Sequence, residues 1–147
     1  MKTVGKFKVR FATNSDLAWC MKHDSEAKNA ARMRYKIALN EIAVTELGRS
    51  IVGYIRLEYL WMKIPYIGLI LVLPKYRRQG IGRAMLKFME RKLRKKWHKV
   101  LLSSSQANEP YPSQAWHRAM GFEECGIISG INENGIGEVF FRKSLLS

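Results

Sequence analysis

The chain has 147 residues, 47% of them apolar and 11% aromatic, enough for one domain to bury a core without disulfide or metal staples. Its formal net charge of +14 implies an anionic partner, either a cofactor or a macromolecule. Cys20 and Cys125 have no metal-ligand spacing and no Cys-x-x-Cys, so they read as reduced thiols of a cytoplasmic protein, with no metal expected. No secretory signal opens the chain. Its longest apolar stretch, Ile64 to Leu73, is interrupted by Pro65 and too short to span a bilayer, so no membrane partner is expected.

Taken in order, Phe7 to Ala12 alternates as a first strand, and Asn14, Ser15 and Asp16 offer caps to a short helix from Leu17 to Lys22. A second helical stretch runs from Ser25 to Lys36. Glu41 to Glu46 and Ile51 to Glu58 read as strands joined in a hairpin at Leu47-Gly48-Arg49-Ser50. Leu60 to Pro65 turns the chain into a strand over Tyr66 to Leu73. The helix that starts at Ile81 puts Ile81, Ala84, Met85, Phe88, Met89 and Trp97 on one apolar face, with basic residues opposite. Val100 to Ser104 is a strand that must pair in parallel with Tyr66 to Leu73 across that helix. Another helix starts at Pro112 or Ser113 and stops at Gly121. Gly126 to Ile131 and Glu138 to Arg142 then form a hairpin around Asn134-Gly135. With no repeat or linker, residues 1–147 read as a single domain.

The most informative stretch runs from Leu69 to Leu86. It combines an apolar strand, a proline stop at Pro74, a basic glycine-containing turn and an immediate helix. A helix start leaves backbone N–H groups without intrahelical partners and carries the positive end of the helix dipole. Gly80 and Gly82 let an anion approach that backbone, and Arg77, Arg78 and Arg83 add full charges, so the turn reads as a phosphate site. It lacks the Gly-Lys-Ser/Thr of a triphosphate loop, and it is not a Gly-x-Gly-x-x-Gly dinucleotide turn with an acidic partner. Between Lys75 and Lys99 there are eleven Lys or Arg and one acid, Glu90. The distal part of that run, Arg91 to Lys99, reads as a solvated helix face.

Arg77-Arg78-Gln79-Gly80-Ile81-Gly82 fits Arg/Gln-x-x-Gly-x-Gly/Ala and follows Val72-x-Pro74. On these residues the chain resembles the GNAT superfamily of N-acetyltransferases, whose members hold the pyrophosphate of coenzyme A on this loop. The element order agrees over nearly the whole chain, although residues 66 to 122 carry the likeness. It implies an α/β (α+β) GNAT fold, a mixed central sheet of about seven strands with a splay between strands 4 and 5, flanked by about four helices. It implies acetyl-CoA as cosubstrate and a primary amine, on a small molecule or a protein terminus, as acceptor. Asn108 matches the family's Asn after the fifth strand, and Gly121-Phe122 matches the ending of the following helix. Two departures stand out: Pro110-Tyr111-Pro112 lengthens the gap after Asn108, and His117 occupies the place of a Tyr near the coenzyme sulfur.

Acetyl transfer from a thioester to an amine needs deprotonation of the amine, stabilisation of the carbonyl oxygen as it gains charge, close placement and protonation of the thiolate. By resemblance, the Ile70 N–H faces the acetyl oxygen, and Leu71 and Val72 follow the pantetheine arm. Arg77, Arg78, Gln79, Gly80, Ile81, Gly82 and Arg83 hold the pyrophosphate, and Asn108 reaches the coenzyme. His117 stands where the acid would be, or else stacks on Trp116 or caps a helix. Glu58 is the candidate base, with Glu41 and ordered water as alternatives. Trp61 and Tyr66 either wall the acceptor cleft or fill core, Tyr66 more in keeping with core. His23 and His98 read as surface residues. Two other readings stay open: a GNAT-fold protein that binds acetyl-CoA without catalysis, and a basic nucleic-acid-binding module, for which no recognition motif is present. Association with nucleic acid or the ribosome is compatible with the basic run, and the protein is expected to be a monomer or homodimer.

Overall fold

The computed structural model of the protein describes residues 6–108 and 111–146. In chain order it contains β1 (Phe7–Phe11), α1 (Leu17–His23), α2 (Ala30–Ala38), β2 (Ile42–Leu47), β3 (Ser50–Leu60), β4 (Ile64–Val72), α3 (Ile81–Lys95), β5 (Val100–Gln106), α4 (Tyr111–Ala119), β6 (Glu123–Ile128) and β7 (Glu138–Ser144). The strands form one mixed seven-stranded sheet in the order β1-β2-β3-β4-β5-β7-β6. β4 and β5 run parallel with Tyr66 opposite Leu102, the pairing expected of a strand–helix–strand crossover. The other described pairs are antiparallel.

The chain divides into two compact units, Met1–Glu58 with Gly68–Arg91, and Tyr59–Ile67 with Lys92–Ser147. In the first unit, Ile42, Val44 and Tyr54 of the sheet pack with Cys20 of α1 and with Met33 and Ile37 of α2. α3 contributes Ile81, Met85 and Met89 at helical spacing, all buried. A Cβ on Gly53 would come 2.9 Å from Ile81 Cγ2 and 3.1 Å from Met85, so this strand position is glycine because α3 closes directly onto it. Cys20 is buried and Cys125 exposed, and both are free thiols. Burial pushes the Cys20 thiol up to about 12.

In the second unit β5 lies against β7 from Val100 opposite Ser144 to Gln106 opposite Glu138, and β6 pairs with β7 as an exposed edge. Leu101, Ser103 and Ser105 alternate as the buried side of β5, and Phe122, Phe141 and Leu145 are buried with them.

Two helix limits differ from the sequence expectation. α2 starts at Ala30 rather than Ser25, because the Asp24 carboxylate takes the Glu26 N–H into a turn and the Asn29 side chain caps Arg32 N at 3.0 Å. α3 ends before Trp97, so this residue is not on the buried face; it is 88% exposed. The N–H of Trp97 bonds to the carbonyl of Arg94, and that of His98 to the carbonyl of Leu93. These two bonds are a Schellman closure, and they leave Trp97 at φ +66°, outside the helical stripe. The β6–β7 connection spans residues 129–137 rather than 132–137, because β6 ends at Ile128, and Gly135 within it has a positive φ.

Candidate active site

The first unit carries most of the expected site. At the end of β4 the Leu73 N–H bonds to the Val52 carbonyl, and Pro74–Tyr76 makes a single 3-10 turn. Arg77 Nε then donates back to the Val72 carbonyl at 3.0 Å. Arg78 and Gly80 both take left-handed backbone, at φ +64° and +83°. For an arginine that conformation is costly. Alternating hand of this kind turns successive N–H groups to one side, as in anion-binding nests. Ala84 N–H returns to the Gly80 carbonyl at 3.0 Å, so the amides of Ile81, Gly82 and Arg83 precede the first helical bond and have no intrahelical acceptor. No acid stands in the first turn of α3, and Arg77, Arg78, Gly80 and Arg83 are exposed. Gln79 Oε1 is buried without a partner. These features suit a pyrophosphate. Ile70, Leu71 and Val72 lie half-buried on the strand that leads into the loop.

Behind that strand sits a charged cluster that sequence reasoning found only in part. Arg56 Nε donates to Asp24 Oδ2 at 2.6 Å, Arg56 Nη2 to Glu26 Oε1 at 2.6 Å, and Arg56 Nη1 to Glu58 Oε2. Lys36 Nζ bonds to Glu41 Oε1 at 2.8 Å and to Glu58 Oε1 at 3.1 Å. The Tyr54 hydroxyl donates to Asp24 at 2.6 Å. Burial by itself raises the Asp24 carboxyl, but the Arg56 and Tyr54 bonds outweigh it and leave the group below the ordinary carboxylate range. Burial and then Asp24 push the Tyr54 hydroxyl well up. Asp24, Glu26, Glu41 and Glu58 thus surround two cations. Glu58 is the member with a half-exposed side chain and a cation on each oxygen. The signal for Arg56 was legible: a lone arginine between Ile55 and Leu57 in an apolar strand needs a buried partner. Asp24, far away in sequence, gave no such sign.

The second unit holds His117, which is only 4% exposed. Its Nδ1 donates to the Ser113 carbonyl at 2.9 Å, so its Nε2 accepts from Ser103 Oγ at 2.7 Å. The ring stacks on Phe141 with centroids 4.5 Å apart and planes 4° from parallel. Burial lowers its proton affinity, opposed by the Ser113 bond. His117 is therefore a neutral imidazole with both nitrogens engaged, and it packs in the core on Phe141 rather than stacking on Trp116, which meets it edge-on. Tyr66 is half-buried, stacks on Phe140 and shares a 2.6 Å hydrogen bond with Ser104. Asn108 is exposed in the turn after β5. Pro110 lies outside the described residues, so the lengthened gap has no structural description. His23 stacks on Trp19, and His98 lies against Tyr59. Among the described residues no group of three His, Cys, Asp or Glu is placed to hold a metal ion.

Residues 38–124 match the family model described as "Acetyltransferase (GNAT) domain". A search of curated protein sequences finds no match. Among solved structures the chain is similar to an N-acetyltransferase from Staphylococcus aureus Mu50, with a TM-score of 0.82 at 17% identity over 96% of this chain and 99% of that one. It is also similar to a GNAT-family acetyltransferase from Bacillus cereus ATCC 10987, with a TM-score of 0.76 at 22% identity over 97% and 100%. A third, a putative acetyltransferase from Salmonella typhimurium solved with its cofactor acetyl-CoA, gives 0.79 at 15% identity over 95% and 94%.

Proposed function

The chain belongs to the GNAT acetyltransferase family, and from that premise we propose that it transfers an acetyl group from acetyl-CoA to a primary amine by direct attack in a ternary complex. The observation that carries this reading is the loop from Arg77 to Arg83, with its left-handed Arg78 and Gly80 and its acid-free helix start. There the loop amides and arginines hold the pyrophosphate. Ile70, Leu71 and Val72 offer strand backbone to the thioester arm, with the Ile70 N–H placed for the acetyl oxygen as it becomes an anion. The single parallel register pair at Tyr66 and Leu102 supports β4 backbone being available for that arm.

Glu58 receives the acceptor. A carboxylate has about four acceptor sites, and Lys36 and Arg56 take one on each oxygen. The remaining sites bind the amine N–H and pass its proton to water, which returns one to the departing thiolate. The expectation that His117 protonates the thiolate is not carried forward, because Ser103 already occupies its Nε2. The alternative of acetyl-CoA binding without catalysis is favoured by one observation, the engagement of both Glu58 oxygens by cations.

The test is thiol release from acetyl-CoA over a panel of amines, with Glu58→Gln beside the parent protein. Amine-dependent release that falls about 100-fold in Glu58→Gln supports the reading. Binding of acetyl-CoA with no release on any amine class favours the non-catalytic alternative, and no binding at all overturns both.

A further inference from the structure

Independently of the site above, the exposed apolar turn of the second unit, whose Trp61 stands in solvent rather than in core, breaks the local rules of its own backbone. Lys63 N–H bonds to the Leu60 carbonyl at 3.0 Å across Trp61 and Met62, whose φ values are +54° and +60°. That is a type I′ turn, whose two central positions favour Asn and Gly. Here they hold a tryptophan 73% exposed and a methionine 96% exposed, next to an exposed Leu60. Trp97, 88% exposed, repeats the pattern at the left-handed closing position of α3, where glycine is preferred. The Tyr59 and His98 rings, 5.8 Å apart, join the segments that carry these two tryptophans. Large apolar side chains thus stand in water at three positions whose backbone favours the smallest residues. Among the described residues their exposure leaves little packing to reward them, so the reward lies outside the chain.

The surrounding charge selects the partner. Residues 59–67 and 92–99 contain Lys63, Lys92, Arg94, Lys95, Lys96 and Lys99, six cations, and no acid. We propose that this face, Leu60–Trp61–Met62 with Trp97 inside its basic rim, docks on an anionic phospholipid surface. Lysines gain next to anionic headgroups. Tryptophan favours the water–lipid boundary. Leu60 and Met62 gain only where hydrocarbon accepts them. A nucleic acid would reward the rings by stacking and the lysines by phosphate contact, but would leave the aliphatic tip without a site. A second copy of the chain across a two-fold axis would set six cations against six. Adsorption of this kind needs no spanning helix, and among the described residues none is long and apolar enough to cross a membrane. A lipid surface as partner departs from the sequence expectation of no membrane partner, which rests on the lack of a stretch long enough to span a bilayer.

The test uses the whole protein and vesicles of phosphatidylcholine with or without roughly one-third phosphatidylglycerol. Co-sedimentation with the anionic vesicles only, weakened by salt and accompanied by a blue shift of tryptophan emission, is the expected result. The variant Trp61→Asn/Met62→Gly/Trp97→Gly places the backbone's preferred residues at all three positions and keeps every charge. It is expected to melt no lower than the parent and to bind anionic vesicles about tenfold or more weakly. Absence of vesicle binding by the parent, or equal binding by the variant, overturns the proposal. So does a variant that melts well below the parent, because the side chains would then be holding the fold. Binding of a single-stranded oligoribonucleotide, or self-association, that the variant loses while vesicles are ignored would replace the lipid with that partner.

Discussion

Arg56 Nε and Asp24 Oδ2 lie 2.6 Å apart with both side chains almost closed to solvent, in a chain that carries 26 basic and 12 acidic residues. Removing one partner of such a pair strands the other charge away from water, which costs about 3–5 kcal/mol. Asp24→Ala is therefore expected to lower stability by that amount in urea unfolding. Glu26→Ala, which removes an exposed partner of the same guanidinium, should cost less than about 1 kcal/mol. Equal losses for the two would place the strength of the cluster at its exposed end.

Gly68 on β4 lies against the same cluster. A Cβ there would stand 2.5 Å from Arg56 Nη1 and 2.9 Å from Glu58 Cγ. Gly68→Ala must displace a buried, multiply bonded guanidinium, so an overpacking cost of about 1–3 kcal/mol is expected. Its readout is the unfolding midpoint together with amine-dependent turnover, because Glu58 moves with Arg56. An alanine variant with parental stability and turnover would show that the cluster yields freely.

On the proposed function, acetyl-CoA binds the folded state, and the melting temperature should climb with the logarithm of its concentration. Gly82→Val puts a β-branched side chain at the helix start proposed to receive the pyrophosphate, and should abolish the climb while leaving a cooperative transition. Arg91, Lys92, Lys95 and Lys96 changed together to Gln lie turns away from that start, and should leave the climb unchanged. If the quadruple variant loses as much binding as Arg78→Ala, the phosphate site extends along the helix.

His117 should reveal itself in stability rather than turnover. Its buried ring loses proton affinity on folding, so below the ordinary value of about 6.5 the unfolded chain takes up the proton first. Stability is full above that pH and declines as pH falls through it. His98, lowered by burial and by Lys92, adds a second decline of the same sign. Asp24 begins its own loss only as pH drops below about 4, because its folded value is depressed. His117→Gln should flatten the pH 5–7 slope of unfolding free energy, leaving the share of His98. Its kcat should stay within about threefold of the parent. A drop of 100-fold in kcat would restore the imidazole as an acid.

The sheet, its parallel step and the glycine loop that opens α3 were legible because they rest on local signals: period, proline stops and glycine turns. What escaped depended on long-range partners or on exposure. The helix expected from Ser25 gives way to a turn because Asp24 is recruited by Arg56, 32 residues away. Trp97 fits the apolar period of α3 yet stands in solvent, because the helix ends at Lys95, two residues before it. His117 was legible as a ring in a special place. Its neutrality, however, follows from burial against Phe141 on β7, which no local pattern connects to it.

The two thiols also make the protein its own unfolding sensor. Cys125 sits open on the edge strand and should react with a maleimide at once, whereas Cys20, sealed between α1 and the sheet with its thiol pushed up to about 12, reacts only when the first unit opens. After Cys125 is blocked, the slow labelling of Cys20 becomes a clock for that opening in the native protein. Acetyl-CoA held on the loop of the same unit should slow the clock, and the lipid-facing turn of the other unit should leave it untouched.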